Sequence, residues 1–144
     1  MKFTKRIFLI LIACAITTNI CAIQFRHLSI KDGLSQLSVL SIYQDKLGRM
    51  WFGTEEGINV FDGNNLTAIK TLRNIPPQNL EVRWICGDEK GNIYFQLGTS
   101  IVCIDFATQS NTVLVKKGVT TLCHHSGKIY YASTEIGRAV QQEC

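Results

Sequence analysis

Proline is almost missing from this chain: there are two, and they are adjacent, Pro76-Pro77. Two successive prolines cannot sit inside a central strand, so they mark a connecting loop. No apolar run beyond the N-terminal stretch is long enough to cross a membrane. No glycine-rich loop of the kind that cradles phosphates is present, which excludes nucleotide-driven chemistry from these residues. Charge of one sign is also scarce. The formal net charge is +4, but Lys2, Lys5 and Arg6 supply three of those charges, leaving about +1. That gives no case for a nucleic-acid partner. Metal-ligand spacing is absent as well. Cys123-His124-His125 is one run of adjacent ligand types without a second cluster, so neither a metal nor a cofactor is expected.

What is present begins with an export signal. A basic start is followed by an apolar run from Ile7 to Ile16 and then small and polar residues up to Ala22. Residues 1–22 therefore read as a signal peptide, which places the mature chain in the periplasm. Two alternatives are a lipoprotein signal ending at Cys14 and a retained membrane anchor over Ile7–Ile23.

The rest is organised around Val39 to Gly63, VLSIYQDKLGRMWFGTEEGINVFDG. Val39–Gln44 is apolar and β-branched, and Asp45-Lys46-Leu47-Gly48 is a turn. Met50-Trp51-Phe52 is a second strand, Glu55-Glu56-Gly57 a second turn, and Ile58–Phe61 a third strand stopped by Asp62-Gly63. One such sheet buries a single face and needs neighbours. Two copies supply them. Asp45, Gly48, Trp51, Phe52, Ile58 and Asp62 match Asp88, Gly91, Tyr94, Phe95, Ile101 and Asp105, each pair 43 positions apart. A third copy starts at Val119, 37 positions after Val82. It sets Leu122 at the place of Ile42 and Ile85, His125 at that of the turn aspartate, and Ile129-Tyr130-Tyr131 at that of Met50-Trp51-Phe52. Gly127 is its turn glycine, and its first turn is one residue shorter.

Short strands at a period of about 40 residues are the mark of propeller blades. The expected fold is all-β: a partial β-propeller of about three four-stranded antiparallel blades. Residues 39–73 form blade one, 82–117 blade two and 118–144 an incomplete blade three. A ring closes at typically four to eight blades, so this is a fragment of a larger ring, of about seven blades. Residues 23–38 hold a polar loop and, at Phe25–Ile30, an alternating stretch expected to be a strand that latches the ring. Its partner would lie beyond this chain. Past Glu135 the repeat gives no Asp stop and no fourth strand, so the chain is expected to end inside a blade.

The six cysteines do not form a disulfide framework. Cys86 and Cys123 share one strand position in successive repeats and Cys103 replaces Val60; all three read as core positions. The repeated aromatics Trp51, Phe52, Tyr94, Phe95, Tyr130 and Tyr131 read as inter-blade core rather than a sugar-stacking platform. The carboxylates Asp45, Asp88, Glu55, Glu56 and Asp62 read as turn caps rather than a glycosidase pair. Ligand contacts in propellers come from loops at one mouth of the ring, and Arg49, Asn59, Arg83 and Trp84 are the rim candidates.

The phrase FRHLSIKDGLSQLSVLSIYQDKLGRMWFGTEEGINVFDG closely resembles the start of the two-component regulator propeller family. Asp45, Gly48, Trp51, Phe52, Gly53, Thr54, Gly57, Asp62 and Gly63 carry the motif. The later repeats depart from it, with Gln96-Leu97 and Ala132-Ser133 in place of Gly-Thr. The resemblance implies a periplasmic sensor region of a hybrid two-component system of Gram-negative gut bacteria. Such proteins carry two large propellers, an immunoglobulin-like domain, a membrane helix, a histidine kinase, a receiver and a DNA-binding domain. Many detect oligosaccharides released from glycans. On this reading the chain senses and does not catalyse. Its partners are an oligosaccharide or other small periplasmic ligand and the rest of the sensor polypeptide or a second sensor copy. The alternatives are a fragment of an exported propeller glycosidase or lyase, and a non-functional truncated product.

Overall fold

A computed structural model describes residues 24–69, 80–105, 107–108, 110–115 and 117–134, and the backbone of 140–142. The expected export signal, with Cys14 and Cys21, and Pro76-Pro77 and Cys144 lie outside the described residues.

The described residues build three antiparallel sheets, each from consecutive strands. Sheet one is β1 (Val39–Gln44), β2 (Met50–Thr54), β3 (Gly57–Phe61) and β4 (Leu66–Ala68). Sheet two is β5 (Ile85–Gly87), β6 (Ile93–Leu97), β7 (Ser100–Ile104) and β8 (Asn111–Val115). Sheet three is β9 (Val119–His125), β10 (Lys128–Ser133) and β11 (Val140–Gln142). These are the expected propeller blades, with differences at the margins. Among the described residues the fourth strand of sheet one is Leu66–Ala68, and residues 70–73 of the expected blade lie outside the described residues. Sheet three does gain a third strand: Val140–Gln142 pairs with Tyr131, Tyr130 and Ile129 where the repeat pattern had failed.

The period of two decides where the core sits. In sheet one, Trp51 pairs with Tyr43 and Val60, and Gly53 with Ile58, so all five share one face. That face packs on sheet two through Ile85, Ile93, Phe95, Val102 and Ile104. The opposite face of sheet two carries Tyr94, Cys103 and Ile101, which pack against Ile129, Leu122 and Val119 of sheet three. Each sheet thus offers a back face to its successor and a front face to its predecessor.

The crossing between sheets repeats too. The Val82 amide donates to Thr54 O (2.9 Å), and the Val119 amide donates to Thr99 O (2.9 Å). Both valines are almost fully buried, and each is the first apolar residue of its repeat. The Val82 carbonyl accepts from Ser41 Oγ (3.1 Å), whereas the Val119 carbonyl accepts from Gln96 Nε2 (3.0 Å).

Phe25–Ile30, expected to pair with a strand beyond this chain, pairs with none of the described strands. Residues 24–29 have no ladder, Phe25 is 95% exposed, and Ile30–Asp32 is a single 3-10 turn. An extended segment becomes a strand only where a neighbour accepts its hydrogen bonds, and no described strand pairs with this one. It is instead tied to sheet one by Arg26, which donates to Gly63 O (3.2 Å) and lies 4.9 Å from the Phe61 ring centre.

Close approach of the sheets leaves no room for a side chain at two glycines. A Cβ on Gly53 would stand 2.6 Å from Val82 Cγ1, with Ser41 Oγ and Val82 O nearer still; one on Gly87 would stand 2.5 Å from the Tyr43 hydroxyl. Gly53→Ala is expected to lower stability by about 1–3 kcal/mol, because one of the three contacts is with the Val82 backbone carbonyl and cannot be relieved by a rotamer change. Urea unfolding followed by tryptophan fluorescence measures it. An unchanged midpoint would show that the two sheets part more easily than this packing implies.

Candidate functional site

Two turns of identical design organise the sheets. Asp45 Oδ1 accepts the amides of Leu47 (2.9 Å) and Arg49 (2.9 Å); Oδ2 accepts Arg49 Nε (2.6 Å) and the Trp51 indole N–H (2.9 Å). Asp88 Oδ1 accepts the amides of Lys90 (2.9 Å) and Asn92 (2.9 Å); Oδ2 accepts Asn92 Nδ2 (2.9 Å) and the Tyr94 hydroxyl (2.8 Å). The carboxylate caps the turn and reaches two residues into the next strand to hold the buried aromatic. Gly48 and Gly91 sit at positive φ in these turns. The third sheet solves the same problem without a carboxylate. Lys128 pairs directly with His125, and the two residues between them, Ser126 and Gly127, take φ of 49° and 76°. Two successive positive φ values are those of the tight hairpin turn that needs no side-chain cap. This is why the third copy is one residue shorter and tolerates His125 there.

Asp62 accepts the Asn64 and Asn65 amides (2.8 and 2.7 Å), and Asp105 accepts the Thr108 amide (2.7 Å). These carboxylates end their strands by capping turns, as the residue order suggests.

The rim candidates divide. Asn59 is a correction: it is 0% exposed, not at a rim. Its Oδ1 accepts Ser35 Oγ (2.6 Å) and its Nδ2 donates to Gly33 O (3.2 Å). Ser35 Oγ also lies 2.9 Å from Thr54 Oγ1. This network pins the loop before β1 to the front face of sheet one, and reading the later part of residues 23–38 as a plain polar loop missed it. The signal was available in Thr54 and Asn59, polar residues where the second copy has Leu97 and Val102. Arg49 is largely covered, with its guanidinium on Asp45 and 5.3 Å from the Trp51 ring centre. Arg83 and Trp84 are exposed; Arg83 pairs with Glu81 at 2.6 Å. The structure does not gather the four into one site.

Trp51, Tyr94 and Phe95 are buried between sheets, while Tyr130 is 37% exposed because no described sheet covers its face. The same geometry corrects the reading of Cys123 as a core residue: it pairs with Tyr130, shares that face and is exposed. Cys103 is buried as expected. Burial pushes the Cys86 thiol up to about 12, helped by its neighbours Cys123, Asp88 and Cys103, so it is a packed hydrophobe rather than a nucleophile. No group of three or more His, Cys, Asp or Glu among the described residues could hold a metal ion. No described helix is long and apolar enough to cross a membrane.

Burial alone would push the Asp45 and Asp88 carboxyls up. The hydrogen bonds from Trp51 and Arg49 in one case, and from Tyr94 and Asn92 in the other, outweigh it and hold both below the ordinary 3.8. Because folding lowers both values, their contribution is fully present above pH 3.8 and is lost as pH falls through the depressed range. The unfolding midpoint is therefore expected to hold from neutral pH down to about pH 4 and then fall, less steeply in an Asp45→Asn/Asp88→Asn variant. Trp51→Phe keeps an aromatic side chain but deletes the donor and shrinks the buried ring, and is expected to lower stability by at least about 2 kcal/mol, the scale of a hydrogen bond to a charged group. Equal stability of wild type and Trp51→Phe would deny the indole–carboxylate bond this role.

Residues 33–56 match the family model described as "Two component regulator propeller". A histidine kinase of Formosa agariphila is 43% identical over 58 residues, 40% of this chain and 4% of the kinase. The extracellular domain of a protein described as a hybrid two component system from B. thetaiotaomicron superposes with a TM-score of 0.61 at 26% identity, over 74% of this chain and 17% of that domain. The extracellular domain of a one component system from the same organism superposes with a TM-score of 0.61 at 15% identity, over 82% of this chain and 18% of that domain, a likeness of fold alone. The chain thus spans under a fifth of the length of these relatives. The motif of Gly33–Glu56 is that of the two component regulator propellers, and it is borne on blades with the fold of a two-component extracellular domain.

Proposed function

We propose that the chain is a ligand-sensing propeller segment of the periplasmic region of a hybrid two-component histidine kinase, that it responds to an oligosaccharide released from a glycan, and that it does no catalysis itself. The observation that carries this reading is the propeller motif at residues 33–56 on blades similar to the extracellular domain of a two-component system. The basic and apolar stretch Lys2–Ala22 supports a periplasmic location. The turn carboxylates support binding over hydrolysis: Asp45, Asp62, Asp88 and Asp105 each accept hydrogen bonds from their own turns, which leaves them poor candidates for a facing acid pair.

Within this reading the rim role falls to Arg83 and Trp84. Trp84 is 45% exposed and offers a ring for stacking, and Arg83, braced by Glu81, offers donors for sugar hydroxyls. Both sit just before β5, which pairs with β6 and also meets β1 and β9 of the neighbouring sheets. A ligand held there lies beside the strand that meets both neighbouring sheets. It can act on signalling only by favouring one arrangement of the sensor over another, with the rest of the sensor polypeptide or a second sensor copy as the partner that reads the bias.

Calorimetric titration of the chain with a panel of glycan-derived oligosaccharides tests the reading. One class is expected to bind, and Trp84→Ala to weaken it about tenfold, the loss of one stacking contact. Binding that Trp84→Ala and Arg83→Ala leave intact would remove these two residues from the site. A panel without a binder would remove the oligosaccharide.

A further inference from the structure

Sheet two is covered on both faces by described sheets, so what it leaves exposed or unsatisfied belongs to the fold itself. One cross-strand pair in it breaks the repeat. The Gln96 amide donates to Trp84 O (2.9 Å), which continues the pairing of Ile85 with Phe95 and Cys86 with Tyr94 and sets Trp84 opposite Gln96. The matching pair is Ser41–Gly53 in sheet one and Thr121–Ala132 in sheet three. Small residues meet at this place in both outer sheets; between them stand an indole and a long amide. Trp84 remains 45% exposed although its sheet has a neighbour on either side.

Gln96 is 4% exposed. Its Nε2 donates to Gly98 O (2.7 Å) and Val119 O (3.0 Å), so both side-chain amide hydrogens are used. Its Oε1 is buried and accepts from no described residue. The latch between sheets two and three needs a donor alone: at the first crossing the Ser41 hydroxyl serves Val82 O. The acceptor is therefore surplus to packing, and a buried acceptor without a donor is costly. We propose that Gln96 Oε1 is the polar anchor of a saccharide subsite, accepting one hydroxyl of a sugar whose apolar ring face stacks on Trp84. The subsite rests on the oligosaccharide reading above, and it adds a residue that sets specificity. A pyranose presents C–H groups on its face and donor hydroxyls at its edge; the pair offers an aromatic face with an acceptor beside it. The half-exposed indole turns aside to admit the hydroxyl, and the sugar then covers the ring. Because the same amide holds Val119, a ligand on Oε1 bears on the crossing of sheets two and three.

The full chain is titrated calorimetrically with maltotetraose, cellotetraose, mannotetraose and tetragalacturonate, then with derivatives of the binder in which fluorine replaces one hydroxyl at a time. Fluorine keeps the size of the group and cannot donate. At least one position is expected to cost about tenfold in affinity, the scale of one hydrogen bond. In Gln96→Met, which keeps the side-chain length and deletes the amide, the parent sugar is expected to bind about tenfold more weakly and that same fluorine to make no further difference. Gln96→Leu repeats the cycle with a shorter side chain, and near-UV circular dichroism checks the packing of both variants. Variants that bind every derivative more weakly but keep the fluorine effect overturn the proposal and leave Gln96 as a latch only. A series with no sensitive hydroxyl overturns it on the unsubstituted chain alone. Either result leaves the oligosaccharide reading standing, whereas failure of all the probes to bind removes that reading and the subsite with it.

Discussion

A carboxylate that holds the aromatic ring two residues into the next strand, buried at Asp45 and half-buried at Asp88, is the constraint on which the first two sheets depend. The period of two in a strand means that a slip of one residue would turn every apolar side chain to the wrong face. Asp45 and Asp88 prevent that slip by bonding the turn amides and the next strand's ring together, to Trp51 and Tyr94. The ring cannot leave its face without stranding a desolvated charge, and the charge cannot leave without releasing the turn. Register, turn and core are one unit. The third sheet has no such carboxylate and fixes its register by a two-residue turn alone.

Stacking follows from that register. The back-face set Tyr43, Trp51, Ile58 and Val60 meets the front-face set Ile85, Phe95, Val102 and Ile104 because both sets are held in phase. The front of sheet one departs from the pattern where it must receive its own polypeptide instead of another sheet. Thr54 and Asn59 stand there in place of Leu97 and Val102, and they take Ser35 and Gly33 of the entering loop. A polar pair buried on a sheet face is costly unless every group finds a partner. The loop supplies them, and it lies within the matched residues 33–56.

What was legible in the sequence is what is local. Asp and Gly at turn spacing, β-branched and aromatic alternation, and a repeat at 43 positions led to the strands, their order and the blade architecture. What was not legible depends on residues far away in the chain. Asn59 reads as a surface residue until Ser35 and Gly33 are brought to it. Phe25–Ile30 alternates like a strand but has no neighbour to complete it. Val140–Gln142 looks too short and too polar for a strand, and it becomes one only because Ile129–Tyr131 already presents an open edge. Cys123 shares its repeat position with Cys86, yet their exposure differs, since burial belongs to the neighbour and not to the residue.

The buried carbonyls at the two sheet crossings bear on how such a repeat can evolve. Val82 O is served by a hydroxyl from the first strand of its predecessor, Ser41, and Val119 O by an amide from the second strand, Gln96. The counterpart of Ser41 is Trp84, and the counterpart of Gln96 is Gly53. The donor has changed strands between one junction and the next. A gene rearrangement that exchanged these units would keep the hydrophobic pattern but set mismatched donors against the same carbonyl, two in one place and none in another. An orphaned buried carbonyl costs about 1–3 kcal/mol. Tandem repeats that look interchangeable in outline are therefore keyed to their order, and divergence at one position locks its neighbour in place.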